Sequence, residues 1–246
     1  MNKIKIKSNF DNAAKNYHNF SDVQKFAATE LLKYLNNLNY DFHNKKIIDI
    51  GCGNSILSKI INTNIVNLDI SRKMLLSNDD NSLKVQADMD FLPIKLEYFD
   101  LVISNFSFQW SRNLAELIAK LACNISRDKM LIFAIPNSNS INELKYASRL
   151  SNCNFSFNEL PSHSDIYKFV SKENFRIIKN KQVEYFEEYD DPIAALKKIK
   201  KIGANYSNKL TPYINKSNLK LFTNYRNNSK DNFTLNWSIS IFICVK

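Results

Sequence analysis

Four residues in one short stretch carry the types and spacing for cofactor chemistry: Asp49, Gly51, Gly53 and Asp69. The stretch from Lys45 to Asp69 reads KKIIDIGCGNSILSKIINTNIVNLD. Of only three glycines in 246 residues, two stand in the turn Gly51-Cys52-Gly53, so ordinary loops must be built from Asn, Ser, Asp and Lys. Glycine is needed where the backbone takes a positive φ or where a ligand approaches it closely. Asp49 precedes the first glycine by two residues, and Asp69 follows it by 18. The flanking pattern is regular. An apolar run Ile47–Ile50 suits a buried parallel strand, Ile56–Ile61 has helical spacing, and a second apolar run Ile65–Leu68 ends on Asp69. Strand, glycine turn, helix and strand make one βαβ unit. Its helix would turn unpaired N–H groups and the positive end of its dipole toward the turn. An acid at the tip of the second strand can accept both hydroxyls of a ribose. The stretch reads as a nucleoside-cofactor site.

A dinucleotide fingerprint needs a third glycine where this chain has Ile56, which weighs against a nicotinamide oxidoreductase. The D-x-G-x-G pattern of Asp49, Gly51 and Gly53 resembles motif I of the class I S-adenosylmethionine (SAM) methyltransferases. In that family the acid and the turn hold the methionine end of SAM, and the acid after the second strand holds the ribose. The resemblance implies SAM as cofactor, S-adenosylhomocysteine (SAH) as product, and contacts at Asp49, Gly51, Cys52, Gly53, Asp69 and Ile70. Ser55 stands where the family usually has a further glycine, which tightens the turn.

Other elements must bring their own residues to this turn. A strand over Leu83–Ala87 ends on Asp88-Met89, an acid placed for an adenine amino group and a thioether placed to stack beside the ring. A fourth strand begins at Asp100 and ends at Ser104-Asn105. Ligands in open α/β sheets bind outside the carboxyl ends of the strands, so Asn105, Phe106, Gln109 and Trp110 are site residues by position. Aromatic faces there can shield a sulfonium from water and attract its charge. A helical pattern from Phe10 to Tyr17 and a longer one from Ser21 to Leu38, capped by Ser21 or Asp22, precede the βαβ unit. Tyr17 lies between them and could close over a ligand. Further helices are predicted over 71–76, 113–124, 140–150, 164–171, 191–202 and 217–225. Strands are predicted over 129–136, 175–187 and 233–245. Gly203 ends the 191–202 helix.

Composition bounds the class. At 44% hydrophobic and 24% charged, the chain matches an ordinary globular protein. The start MNKIKIKSNFDN lacks the apolar core of a signal peptide, and no run reaches membrane-spanning length, so a cytoplasmic protein is expected. Cys52, Cys123, Cys153 and Cys244 form no C-x-x-C pair and the three histidines show no zinc spacing, so reduced thiols and no metal are expected. The net charge of +10 comes from scattered lysines, without the basic stripe of a nucleic-acid enzyme.

Nearly the whole chain resembles one branch of these methyltransferases, the malonyl-acyl carrier protein O-methyltransferases of biotin synthesis. The matching pieces are FDNAAKNYHNFSDVQ, IDIGCGNS, LDIS, ADMDFLP, LVISNFSFQWSRNL, SINEL, YDDPIAALKKIKKIGANY and FTLNWSISIFICV. The N-x-x-x-QW segment and the one around Asp191 are the selective ones. The resemblance implies an α/β, Rossmann-like single domain with a seven-stranded, mostly parallel sheet and an antiparallel last strand. It implies an N-terminal helical lid over 1–42, a SAM-binding half over 43–138, a substrate and lid region over 139–232, and the last strand over 233–246. Tyr17 matches a tyrosine near the transferred methyl, with Gln109 and Trp110 beside it. The acceptor would be the free carboxylate of a malonyl-loaded, acidic carrier protein, which needs no general base because it is ionised at neutral pH. Arg149 and Arg226 are candidate anchors for that carboxylate. Lys197, Lys198, Lys200 and Lys201 form the densest basic cluster, and Lys197 and Lys201 are candidates for meeting the carrier. A monomer that uses neither nucleic acid nor membrane is expected. The alternatives are another acceptor (a protein arginine, RNA or a small molecule) or a methyltransferase fold used only for binding.

Overall fold

The computed structural model of the chain describes residues 2–61, 63, 65–77, 82–204, 215–228 and 231–246. Seven strands form one sheet among them: Ile47–Ile50 (β1), Ile65–Asp69 (β2), Lys84–Gln86 (β3), Leu101–Asn105 (β4), Met130–Pro136 (β5), Arg176–Tyr189 (β6) and Phe233–Val245 (β7). Their order is β3-β2-β1-β4-β5-β7-β6. Parallel pairing runs from β3 through β5, and β7 is antiparallel to both β5 and β6. The chain walks outward from β1 to β3, then returns to β4 and walks the other way. The strand order therefore reverses between β1 and β4, where such sheets open a crevice at their carboxyl ends.

The helices are Lys3–Ala13 (α1), Asp22–Asn36 (α2), Ile56–Ile61 (α3), Arg72–Leu76 (α4), Leu114–Asn124 (α5), Asn142–Leu150 (α6), His163–Lys172 (α7), Pro192–Lys201 (α8) and Lys216–Thr223 (α9). Period-two alternation in the strands splits the core between the sheet faces. Ile47, Leu101 and Ile103 pack on one face with Leu31 and Leu35 of α2, Leu144 of α6 and Ala195 of α8. Ile48, Ile50 and Val102 pack on the other with Leu117 and Leu121 of α5 and Ile166 of α7. A third, smaller cluster joins Ala13, Tyr17, Met74 and Ile202, tying the N-terminal segment to α4 and to the end of α8. Among the described residues no helix is long and apolar enough to cross a membrane.

Several element boundaries differ from the sequence pattern by a few residues, among them the end of α2 at Asn36 instead of Leu38 and of α9 at Thr223 instead of Tyr225. α1 starts at Lys3, not Phe10, because Asn2 caps it by accepting from the Lys5 N–H at 3.1 Å and Ile6 is buried. Ser21 is the residue before α2 but its side chain makes no capping bond. β6 continues past Glu187 to Tyr189, since β7 offers it a partner as far as Phe233. Scarce glycine is replaced in turns by asparagine: Asn39, Asn44, Asn152, Asn154 and Asn174 all take positive φ. Gly203 closes α8 with φ +79°, its N–H donating to Lys200 O at 3.0 Å. The last two residues of the matched segment YDDPIAALKKIKKIGANY, Asn205 and Tyr206, lie outside the described residues.

Candidate active site

The crevice at β1 and β4 is a cleft of about 750 Å³. The β1 turn supplies Asp49, Gly51, Cys52 and Gly53; the β2 tip supplies Asp69 and Ile70; the β3 end supplies Asp88 and Met89. Asn105 and Phe106 leave β4 into it, with Trp110 close behind, and Phe10 and Tyr17 cover it from the N-terminal segment. Every residue expected to bind cofactor therefore lines one cavity. The turn holds itself in place: the Gly51 and Cys52 N–H groups donate to Leu68 O at 2.7 and 3.1 Å. Gly51 has φ +74°, and a Cβ there would coincide with the Ser107 hydroxyl. Gly53 has φ +55° and nothing within 4 Å of a notional Cβ. The first glycine is required by the fold, and the second faces the open cleft. Three residues other than Asn and Asp also take positive φ, Ser55, Phe106 and Ile141, and all three belong to this turn or to the walls of the site. Backbone strain concentrated in this way is characteristic of ligand sites.

Two carboxylates lie buried in the cleft. Asp69 accepts from the Gly53 N–H at 2.9 Å with one oxygen and from the Ser71 N–H at 2.7 Å with the other. Burial pushes its pKa up to about 6, against those backbone donors. Asp49 is 1% exposed, and its Oδ1 has no hydrogen-bond partner. Burial, aided by the charge of Asp69, raises its pKa well above the usual carboxylate range. Among the described residues no lysine or arginine forms an ion pair with either acid. The Gln24 and Asn105 side-chain oxygens are likewise buried without partners. Asn105 Nδ2 is already used, donating to Gln24 O at 2.9 Å. Unpaired buried acceptors beside uncompensated acids call for a ligand that donates hydrogen bonds and carries positive charge. SAM, with an ammonium, a sulfonium and ribose hydroxyls, fits that set. Asp49 would meet the ammonium, Asp69 the ribose, and Asp88 with Met89 the adenine.

Phe10, Tyr17, Gln24, Phe106 and Trp110 also line a second cavity, on the side away from the turn. Its remaining wall includes Gln109, Ile141, Phe155, Phe157, Leu196, Ile199 and Trp237. None of its described lining residues is charged. Burial and the nearby Asp69 charge push the Tyr17 phenol up, so it stays a neutral O–H donor. Gln109 is held by its own amide, Nε2 donating to Phe106 O at 2.7 Å. A buried hub lies beneath this wall. Glu187 accepts from Trp237 Nε1 at 2.9 Å and from the Tyr189 hydroxyl at 2.9 Å, and pairs with Lys198 at 2.6 Å.

The basic candidates lie elsewhere. Arg149 is exposed on α6 and Arg226 spends its guanidinium on the carbonyls of Thr223, Tyr225 and Asp231. Neither lines the cofactor cleft or the second cavity. Lys198 leaves the lysine cluster altogether, bridging Asp22 at 2.7 Å and Glu187. Lys197, Lys200 and Lys201 stay together on an outer groove opposite Asn9, Asn12, Asn16 and Asn19. Phe10, Gln24 and Lys3 were not among the residues singled out from the sequence, though all three line the cleft. Gln24 had a readable signal, a polar side chain next to the apolar stripe of Val23, Ala27 and Leu31. Lys3 had none.

A family described as "Methyltransferase domain" matches residues 48–133. The malonyl-[acyl-carrier protein] O-methyltransferase of Buchnera aphidicola subsp. Baizongia pistaciae is 33% identical over 213 residues, covering 84% of this chain and 83% of its own. The protein of that name from Priestia megaterium is 29% identical, covering 94% and 92%. Among solved structures, YcgJ from Bacillus subtilis superposes with a TM-score of 0.61 at 13% identity, covering 89% and 98%. Magnesium protoporphyrin IX methyltransferase from Synechocystis PCC 6803, solved with bound SAH, gives 0.54 at 14% identity, covering 90% and 83%. These two likenesses speak to the fold, a Rossmann-like sheet of the class I methyltransferases. The cleft's unpaired acids and the likeness to the Buchnera protein over more than four fifths of both chains lead to one assignment: the chain is a SAM-dependent methyltransferase and belongs to the malonyl-[acyl-carrier protein] O-methyltransferase family.

Proposed function

We propose that the chain methylates the free carboxylate of a malonyl group held as a thioester on acyl carrier protein, the methyl ester then entering the pimeloyl stage of biotin synthesis. The observation that carries this reading is the shared wall. An uncharged chamber opens onto the cofactor cleft through Phe10, Tyr17, Phe106 and Trp110. When bound, SAM supplies an electrophilic methyl on a sulfonium. The chain's own task is to hold an acceptor against that wall and keep water out. A malonyl carboxylate is ionised at neutral pH, so no general base is required of Tyr17. The neutral Tyr17 O–H donates a hydrogen bond to orient the acceptor, and the aromatic wall lowers the local dielectric, which favours a reaction that removes charge. Alignment of this kind is worth about 7–11 kcal/mol of the barrier.

The carrier would dock outside. Leu196 and Ile199 of α8 face the chamber, while Lys197, Lys200 and Lys201 of the same helix face the outer groove. An acidic carrier fits that lysine face and the excess of +10 charges. Of the expected anchors, Arg149 lines an outer groove that shares Phe155, Phe157 and Leu160 with the chamber, while Arg226 lines neither.

Transfer of label from methyl-labelled SAM to malonyl-loaded carrier protein, with acetyl-loaded carrier as control, tests it. Label on the malonyl carrier alone is expected. No label with SAH still bound tightly would move the acceptor to another class, protein arginine or RNA first.

A further inference from the structure

Helix α1 crosses the cofactor cleft and is fastened at both ends by polar side chains. At its first residue, Lys3 Nζ sits 2.9 Å from Asp88 Oδ1 and 2.9 Å from Asp90 Oδ2, with its side chain only 9% exposed. Near the other end, Asp11 Oδ1 accepts from the Ser71 hydroxyl at 2.7 Å and from the Lys73 N–H at 3.2 Å. Both anchors belong to the cofactor's own supports. Asp88 lines the cleft, and the Ser71 N–H is one of the donors holding Asp69. Between the fastenings, Ile6 and Phe10 stand three and seven residues after Lys3 on the same helical face and line the cleft. The opposite face holds nothing comparable, and Ile4 is 81% exposed. Within α1 only Ile6 and Ala13 are buried, so apolar packing alone holds this helix weakly.

A nucleoside lying between α1 and the strand ends would be covered by Lys3, Ile6 and Phe10. Lifting would strip Lys3 from two acids in a largely buried setting, where such bonds are strongest. We propose that Lys3 and Asp11 are positioning residues that clasp α1 over the bound cofactor and set the rate of its exchange. The clasp is separable from folding of the loop beneath it. Asp90 also accepts from the Ser111 hydroxyl at 2.6 Å and the Arg112 N–H at 3.1 Å, bonds that do not involve Lys3. The proposal rests on the cleft as cofactor site and is independent of the acceptor.

The test is release of SAH without any acceptor, followed by stopped-flow displacement with Trp110 as the fluorescent reporter. Its failure would leave the methyl-transfer reading untouched. Lys3→Met should release SAH roughly tenfold faster, and Lys3→Arg should restore the native rate. Asp11→Ala should also speed release. A purely structural role would lower the melting temperature of Lys3→Met without changing its release rate. A folded Lys3→Met with unaltered release overturns the proposal. If that variant does not fold, unaltered release in Asp11→Ala overturns it.

Discussion

Gly51 and Gly53 are two residues apart, both at positive φ, and they are glycine for different reasons. A side chain at Gly51 meets Ser107 on the β4 loop, whereas one at Gly53 meets only the cleft. Gly51→Ala should therefore cost stability, on the order of 3–5 kcal/mol from overlap and the left-handed backbone together. Gly53→Ala should cost only about 1–2 kcal/mol and show its main effect as weakened SAH binding. Urea unfolding alongside SAH titration separates the two. Asp69 gives a pH-dependent signature. Its folded pKa of about 6 lies above the unfolded value, so the folded chain binds the extra proton between them. Ionisation there costs the ligand-free fold nothing below about pH 4, a growing amount up to about pH 6, and about 3 kcal/mol above that. A ligand that needs the carboxylate behaves oppositely, and SAH affinity should rise from pH 5 to pH 7. Asp69→Asn should remove its own share of both curves and leave the share that buried Asp49 contributes. Calorimetry that found the same affinity at every pH in the native protein would remove Asp69 from the site.

At the scale of elements, α8 serves two surfaces. Its inner face lines the uncharged chamber and its outer face carries the lysines, and Lys198 pins it between α2 and β6 through Asp22 and Glu187. Glu187 also positions Trp237. Lys198→Met should cost about 1–3 kcal/mol, because Glu187 is left with neutral donors only. It should also raise KM for the carrier-bound acceptor, leaving SAH binding unchanged, since α8 contributes nothing to the cofactor cleft. Equal losses in both would show that the hub supports the whole fold and not the chamber alone.

Across the whole molecule, the +10 charge acts on encounter more than on the reaction. Replacing Lys197, Lys200 and Lys201 with glutamate should slow turnover of carrier-bound malonyl thioester and remove its salt sensitivity. Turnover of a small thioester mimic should hold steady. Comparable slowing of both substrates would mean that this groove is not the docking surface. Lys201 lies 4.3 Å over the Phe20 ring, so its single replacement tests packing as well as charge.

The parallel strands and the residues that line the cleft at their ends are legible in the sequence. Buried parallel strands declare themselves as apolar runs, and a chain with three glycines can spare two for one turn only where the backbone demands them. Asp49, Gly51, Gly53, Asp69, Asp88 and Asn105 are legible because each sits at a strand end, and topology brings strand ends together. Only the tertiary structure decided which basic residues face what. Lys197, Lys198, Lys200 and Lys201 look alike in sequence, yet one is drawn inward by Asp22 and Glu187. Arg226 looked available until its own loop's carbonyls took it. Lys3 carries no signal in the sequence and is nearly buried between two acids from a loop more than 80 residues away. A long cationic side chain is placed by partners distant along the chain, and no local pattern records who those partners are.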